Sequence, residues 1–106
     1  MRTDVLIVGS GCSGLYCALQ LPNDMNILII SKSDCKSSNS FLAQGGIAIM
    51  KNDQDYDSFF EDTMRAGRYK NNVESVNIMI RSSQNVISDL LAYGVNFQKE
   101  ENGELA

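Results

Sequence analysis

The chain has 106 residues, 43% of them hydrophobic, and 13 acidic against 9 basic side chains give it a net charge of −4. That length leaves room for one domain at most, and the charge offers no electrostatic footprint for nucleic acid or an anionic membrane surface. No apolar run approaches the ~20 residues of a membrane span, and residues 1–4 lead into a strand with no signal-peptide cleavage site, so a cytoplasmic protein is the default expectation.

The first apolar run, Asp4-Val5-Leu6-Ile7-Val8, feeds directly into Gly9-Ser10-Gly11-Cys12-Ser13-Gly14, a G-x-G-x-x-G pattern on the end of a predicted strand. Leu15, Ala18, Leu19 and Leu21 then fall at helical spacing, Pro22 closes the segment, and a second apolar run follows at Ile27-Leu28-Ile29-Ile30. The spacing predicts strand, glycine turn, helix, strand. Three glycines alone are a weak signal; strand and helix on either side turn them into a dinucleotide-binding pattern. Gly9 permits the tight turn, Gly11 lets backbone approach a pyrophosphate, and Gly14 lets the helix pack close to the strand. The helix N-terminus, with unpaired N–H groups and a positive dipole end, favours the anion. A glycine-rich turn that serves packing alone is the plain alternative. Both strands are continuously apolar, which predicts a parallel sheet covered on both faces.

The second strand ends at Ser31-Lys32, where a dinucleotide site commonly places an acid for the ribose hydroxyls. With no acid there, Ser31 remains a donor to ribose or adenine, and Lys32 can reach a phosphate or serve an NADP site; as a plain alternative it is a solvated lysine. The polar stretch 33–40 is predicted to be loop. It passes into Phe41-Leu42-Ala43-Gln44-Gly45-Gly46-Ile47-Ala48-Ile49-Met50, where Gly45-Gly46 marks a bend or a close approach by chain or flat ligand. The cysteines, Cys12, Cys17 and Cys35, are odd in number, lack C-x-x-C spacing, and are expected to be free thiols. With no histidine, neither a Cys/His metal site nor a Cys–His or Ser–His catalytic pair is expected.

Tyr56, Phe59, Phe60, Thr63 and Met64 recur on one helical face, with Asp55 or Asp57 as the expected N-cap and Gly67 as the stop. A longer helix is predicted from Val73 to Tyr93, capped by Asn71 with Glu74, lined by Val76, Ile80, Ile87, Leu90 and Leu91, and ended by Gly94. These stripes are expected to be core rather than an aromatic cofactor box. Asn102-Gly103 signals a turn after which a returning strand would start at Glu104. A dinucleotide-binding domain normally has five or six strands and only two are convincing here, so the chain is expected to be an incomplete fragment of a larger domain.

The glycine turn, the Ser31-Lys32 pair, the run S-N-S-F-L-A-Q-G-G-I from Ser38, and E-D-T-M-R-A-G from Glu61 together resemble the L-aspartate oxidase branch of the succinate dehydrogenase and fumarate reductase flavoprotein family. The similarity extends through Tyr93-Gly94-Val95-Asn96-Phe97 and covers essentially the whole chain. It implies an α/β fold, the N-terminal βαβ portion of a Rossmann-like FAD-binding domain followed by helices, with residues 1–106 a single piece of that domain. It implies non-covalent FAD bound by Gly9, Ser10, Gly11, Cys12, Ser13, Gly14 and Lys32, and along the flavin end by Asn39, Ser40, Phe41, Leu42, Ala43, Gln44, Gly45 and Gly46.

No catalytic residue is expected in this stretch, because the family's proton donor and substrate ligands lie downstream. The resemblance further implies L-aspartate as substrate, iminoaspartate as product in NAD biosynthesis, oxygen or fumarate as acceptor, and handover of the product to quinolinate synthase. The respiratory relatives carry a histidine covalently joined to flavin in S-H-T-x-x-A-x-G-G, where this chain has Asn39. Two alternatives stay open: a fumarate reductase or succinate dehydrogenase flavoprotein subunit, and a non-catalytic NAD(P)- or FAD-binding module.

Overall fold

A computed structural model describes residues 2–106. The chain divides into two compact units, residues 1–46 and 47–106.

In the first unit, β1 (Val5–Val8) pairs in parallel with β2 (Ile27–Ile30), Val5 opposite Ile27 and Val8 opposite Ile30, and α1 (Cys12–Gln20) makes the crossover. A parallel pair needs such a crossover, and a helix is its usual form. The register is fixed at its start by Asp4, whose carboxylate accepts from the Asn26 backbone N–H at 2.9 Å and side-chain amide at 3.1 Å, while the Asp4 and Val5 N–H groups donate back to the Asn26 carbonyl. These bonds to Asn26 hold the Asp4 carboxyl below the usual carboxylate range. At the other end the Gly9 N–H donates to Ile30 O at 2.7 Å, so the ladder runs one residue past the strand. Helix α1 stops at Leu21, just before Pro22.

The expectation that both strands are covered on both faces is not met. Along β1 the burial alternates: Val5 and Ile7 are half-buried, Leu6 and Val8 exposed. Ile7 faces α1, its side chain 3.2 Å from where a Cβ on Gly14 would lie. One helix covers one face, and the pleat sends every second residue to the other.

The stretch 33–40 is not plain loop, and the reason is local hydroxyl and carboxylate capping. Cys35–Ser37 forms a 3-10 turn capped by Asp34, whose carboxylate accepts from the Ser37 N–H and hydroxyl. Asn39–Leu42 forms a short helix, α2, with the Ser38 Oγ accepting from the Phe41 N–H.

In the second unit α3 (Tyr56–Ala66) packs on α4 (Val73–Ala92) around Met50, Met64, Val76 and Ile80, with Tyr56, Phe59 and Phe60 against that cluster. The predicted stripes are core, with two changes: Ser83 occupies a buried place on α4, its hydroxyl accepting from the Met50 N–H at 3.0 Å, and Leu91 stays exposed. Gln84 donates to the Lys51 carbonyl. Asp55 is the N-cap of α3 as expected, but without a side-chain capping bond, and the N-cap of α4 shifts by one residue. Asp55 spends its carboxylate on the Lys51 and Asn52 N–H groups, inside a 3-10 turn (Asp53–Asp55) capped by Asn52, and makes no side-chain cap to α3. On α4 the cap is Asn72, accepting from the Ser75 N–H, because Asn71 is turned back to donate to the Thr63 carbonyl at the end of α3.

Gly67 does end α3, but at φ −82°, and it is Arg68 and Tyr69 that take left-handed φ of 54° and 57°. What requires glycine at 67 is room, since a Cβ there would run into the Asn71 amide. Gly94, at φ 89°, ends α4 as expected: Val95 N–H bonds to Leu90 O and Gly94 N–H to Leu91 O, the paired closure of a helix ended by a left-handed glycine. The Asn102-Gly103 turn forms, with Gly103 at φ 85°, and the return is a single antiparallel bridge between Lys99 and Leu105.

Candidate functional site: a cleft over the glycine turn

At the carboxyl ends of β1 and β2 lies a cleft of about 610 Å³, lined by Val8, Gly9, Ser10, Gly11, Ile30, Ser31, Lys32, Ser38, Asn39 and Ser40. Ligands of open α/β sheets bind at this end of the strands. Gly9 turns the chain off β1 at φ 113°, a conformation that side chains rarely adopt. Its carbonyl lies so close to α1 that a Cβ at Gly14 would strike it, so the third glycine of the pattern sets how near the helix approaches the strand.

Gly11 is the N-cap of α1 and has no side chain to cap it. The first N–H groups of a helix have no carbonyl partner within the helix. The Cys12 N–H is taken by Ser40 Oγ at 2.9 Å. Ser13 and Gly14 follow in the same turn, which carries no acidic side chain. Ser10 is 6% exposed, and its buried hydroxyl has no hydrogen-bond partner among the described residues. A buried, unsatisfied hydroxyl costs about 1–3 kcal/mol. Beside a helix N-terminus, in a cleft that also exposes Lys32, it fits an anionic group such as a pyrophosphate.

Six of the expected site residues, Gly9, Ser10, Gly11, Lys32, Asn39 and Ser40, line the cleft together. Cys12, Ser13 and Gly14 form the first turn of α1 behind it, and Cys12 is exposed. Phe41 and Leu42 lie on α2, 62% and 64% exposed, and with Ala43, Gln44, Gly45 and Gly46 they fall outside the lining. Gly45 takes φ 122° with open space beside it, so it is a bend. Sequence reasoning missed Val8, Ile30 and Ser38. The first two are paired strand ends that the register itself brings to the cleft floor, and Ser38 was legible as the hydroxyl three residues before Phe41, the spacing of a helix cap. Among the described residues no cluster of side chains could hold a metal ion, and all three cysteines are free and exposed.

A family model described as "FAD binding domain" matches residues 4–106. An L-aspartate oxidase of Clostridium perfringens is 49% identical over 102 residues, which is 96% of this chain and 23% of that protein. An L-aspartate oxidase of Clostridium acetobutylicum is 45% identical over 99% of this chain and 24% of its own length, and one of Halalkalibacterium halodurans 40% identical over 97% and 21%. The chain therefore spans between a fifth and a quarter of these relatives. No solved structure matches it. With the match running from the first strand through both units, the chain belongs to the FAD binding domain family.

Proposed function

We propose that the chain holds FAD non-covalently as the N-terminal part of an L-aspartate oxidase. That enzyme would oxidise L-aspartate to iminoaspartate in NAD biosynthesis, with oxygen or fumarate as acceptor. The observation that carries the reading is the buried, unpartnered Ser10 hydroxyl beside the N-terminus of α1 in the cleft, in a chain so similar to proteins named L-aspartate oxidase. FAD, once bound, supplies the two-electron redox chemistry.

The chain's own residues supply binding and orientation. Ser10 Oγ and the free N–H groups of the first α1 turn receive the pyrophosphate, Lys32 adds a positive charge, and Ser31 offers a hydroxyl at the end of β2. Gly45 and Gly46, open on their Cβ side, leave backbone accessible along the flavin end of the segment from Asn39. Residues 1–106, both units together, form one part of that FAD-binding domain. The same reading puts the enzyme in the cytoplasm, with iminoaspartate passed to quinolinate synthase.

Asn39 supports the non-covalent state. It lines the cleft where the respiratory flavoproteins carry their attaching histidine, and an amide nitrogen is not a usable nucleophile at neutral pH. The whole protein, as its coding sequence specifies it, is expected to purify yellow, to be bleached by L-aspartate without oxygen, and to release all its flavin into the supernatant on acid precipitation. Flavin fluorescence that stays with the denatured band would move the protein to the covalent relatives. A colourless protein that binds NADP would replace the enzyme reading with a nucleotide-binding module.

A further inference from the structure

We propose that Ser40 is a positioning residue that ties the two walls of the cleft together through the Cys12 N–H, and that glycine at position 11 leaves that bond unstrained. One wall is the turn Gly9–Gly11, the other the segment Ser38–Ser40, 28 residues further along. The side-chain hydrogen bond from one to the other is the 2.9 Å bond from Cys12 N–H to Ser40 Oγ. It does for α1 what a capping side chain normally does from the adjacent position, because Gly11, the N-cap, has none.

The geometry at Gly11 points the same way. A Cβ built there meets one atom within 4 Å, Ser40 Oγ, at 3.3 Å. That is tighter than ordinary contact, so a side chain at 11 presses on the hydroxyl and requires it to shift by a few tenths of an ångström. The second glycine of the fingerprint is thereby assigned a partner within the chain, in addition to any approach by a ligand. A serine hydroxyl that accepts one bond still has its own hydrogen to donate. Ser40 accepts from α1 and itself lines the cleft beside Asn39, so its O–H is left as a donor at that wall.

For its effect on cofactor affinity this inference rests on the FAD reading; the tether itself does not. The test uses the whole protein stripped of cofactor, with hydrogen exchange at the Cys12 amide and a separate titration with FAD. Ser40→Ala is expected to speed Cys12 exchange about tenfold and to weaken FAD binding about 3- to 10-fold, the range of one net hydrogen bond. Ser40→Thr, which keeps the oxygen, is expected to restore both. Gly11→Ala is expected to speed Cys12 exchange by less than Ser40→Ala does, and to add little to that effect in the Ser40→Ala background, the non-additivity of two groups in contact. Equal Cys12 exchange in the wild type and Ser40→Ala would overturn the proposal, as would full additivity of the two substitutions. Faster exchange with unchanged FAD affinity would reduce Ser40 to a helix cap and also overturn it. A wild type that binds no FAD but shows the expected exchange pattern would remove the cofactor reading and leave the tether standing.

Discussion

At the scale of single residues, glycines that look alike in the sequence are required for different reasons, and substitution separates them. A methyl group at Gly14 would meet backbone, the Gly9 carbonyl, as well as Ile7. Helix and strand would have to part, and Gly14→Ala is expected to destabilise the whole protein by about 1–3 kcal/mol, the cost of overpacking. A methyl at Gly67 would meet the movable Asn71 amide, at a φ of −82° that alanine accepts. Gly67→Ala should therefore cost only the Asn71–Thr63 bond, about 0.5–1.5 kcal/mol, and should cost nothing further in an Asn71→Ala background. Chemical denaturation of the four variants checks both; a Gly67→Ala penalty that survives removal of Asn71 would mean that the helix end itself is strained.

At the scale of elements, the βαβ unit depends on the clasp at the start of its strands. Asp4 there gains its hydrogen bonds only when β1 and β2 are in register. Its folded-state pKa lies below the unfolded value, so its contribution is present above the ordinary carboxylate range, pKa about 3.9, and is lost as pH falls through the lower folded value. Asp4→Asn is accordingly expected to be less stable than the wild type at neutral pH, with the gap closing as pH drops below about 4. A gap that is the same at pH 3 and pH 7 would show that the charge of Asp4 plays no part. The caps of α3 and α4 carry a related lesson. Asn71 and Asn72 are equivalent in the sequence, and so nearly are Asn52 and Asp55. Which side chain bonds to a helix end is decided by what else lies in reach: Thr63 O draws Asn71 away from α4, and the Lys51 N–H draws the carboxylate of Asp55, still the N-cap residue of α3, away from that helix.

At the scale of the molecule, the two units differ in how much apolar surface they remove from water. Every buried hydrophobic side chain among the described residues, Met50, Met64, Val76, Ile80 and Ile87, belongs to the second unit. The first buries Ser10 and leaves Leu6, Val8, Leu15 and Leu19 exposed. Small units that bury little apolar surface barely offset chain entropy. In the 106-residue chain by itself, amides of β1 and β2 are expected to exchange much faster than those of α4 around Ile80. That chain is also expected to bind FAD weakly and to show no turnover of L-aspartate. Among the described residues Lys32 is the one ionisable side chain lining the cleft, and of the arginines Arg65 pairs with Asp62 and Arg81 stacks on Tyr56. Measurable aspartate oxidation by the 106-residue chain would show that its residues suffice for the chemistry. No helix among the described residues is long and apolar enough to cross a membrane.

The sequence by itself determined the order strand, glycine turn, helix, strand, the two long helices with most of their core stripe, and the glycine stop at Gly94. Each of these rests on local periodicity or on one residue's conformational freedom, which a linear reading captures. It also marked six residues of the cleft: Gly9, Ser10 and Gly11 because the fingerprint ties glycine spacing to a strand end, Lys32 as the residue that ends the second strand, and Asn39 and Ser40 through the family resemblance. What only the tertiary structure decided was which polar groups find one another, across long separations for Ser40 with Cys12 and Ser83 with Met50, and between neighbouring elements for Asn71 with Thr63. A hydroxyl or amide has several partners of nearly equal strength within reach of an unfolded chain, and only the folded backbone, by bringing one of them to about 3 Å and burying the rest, makes the choice.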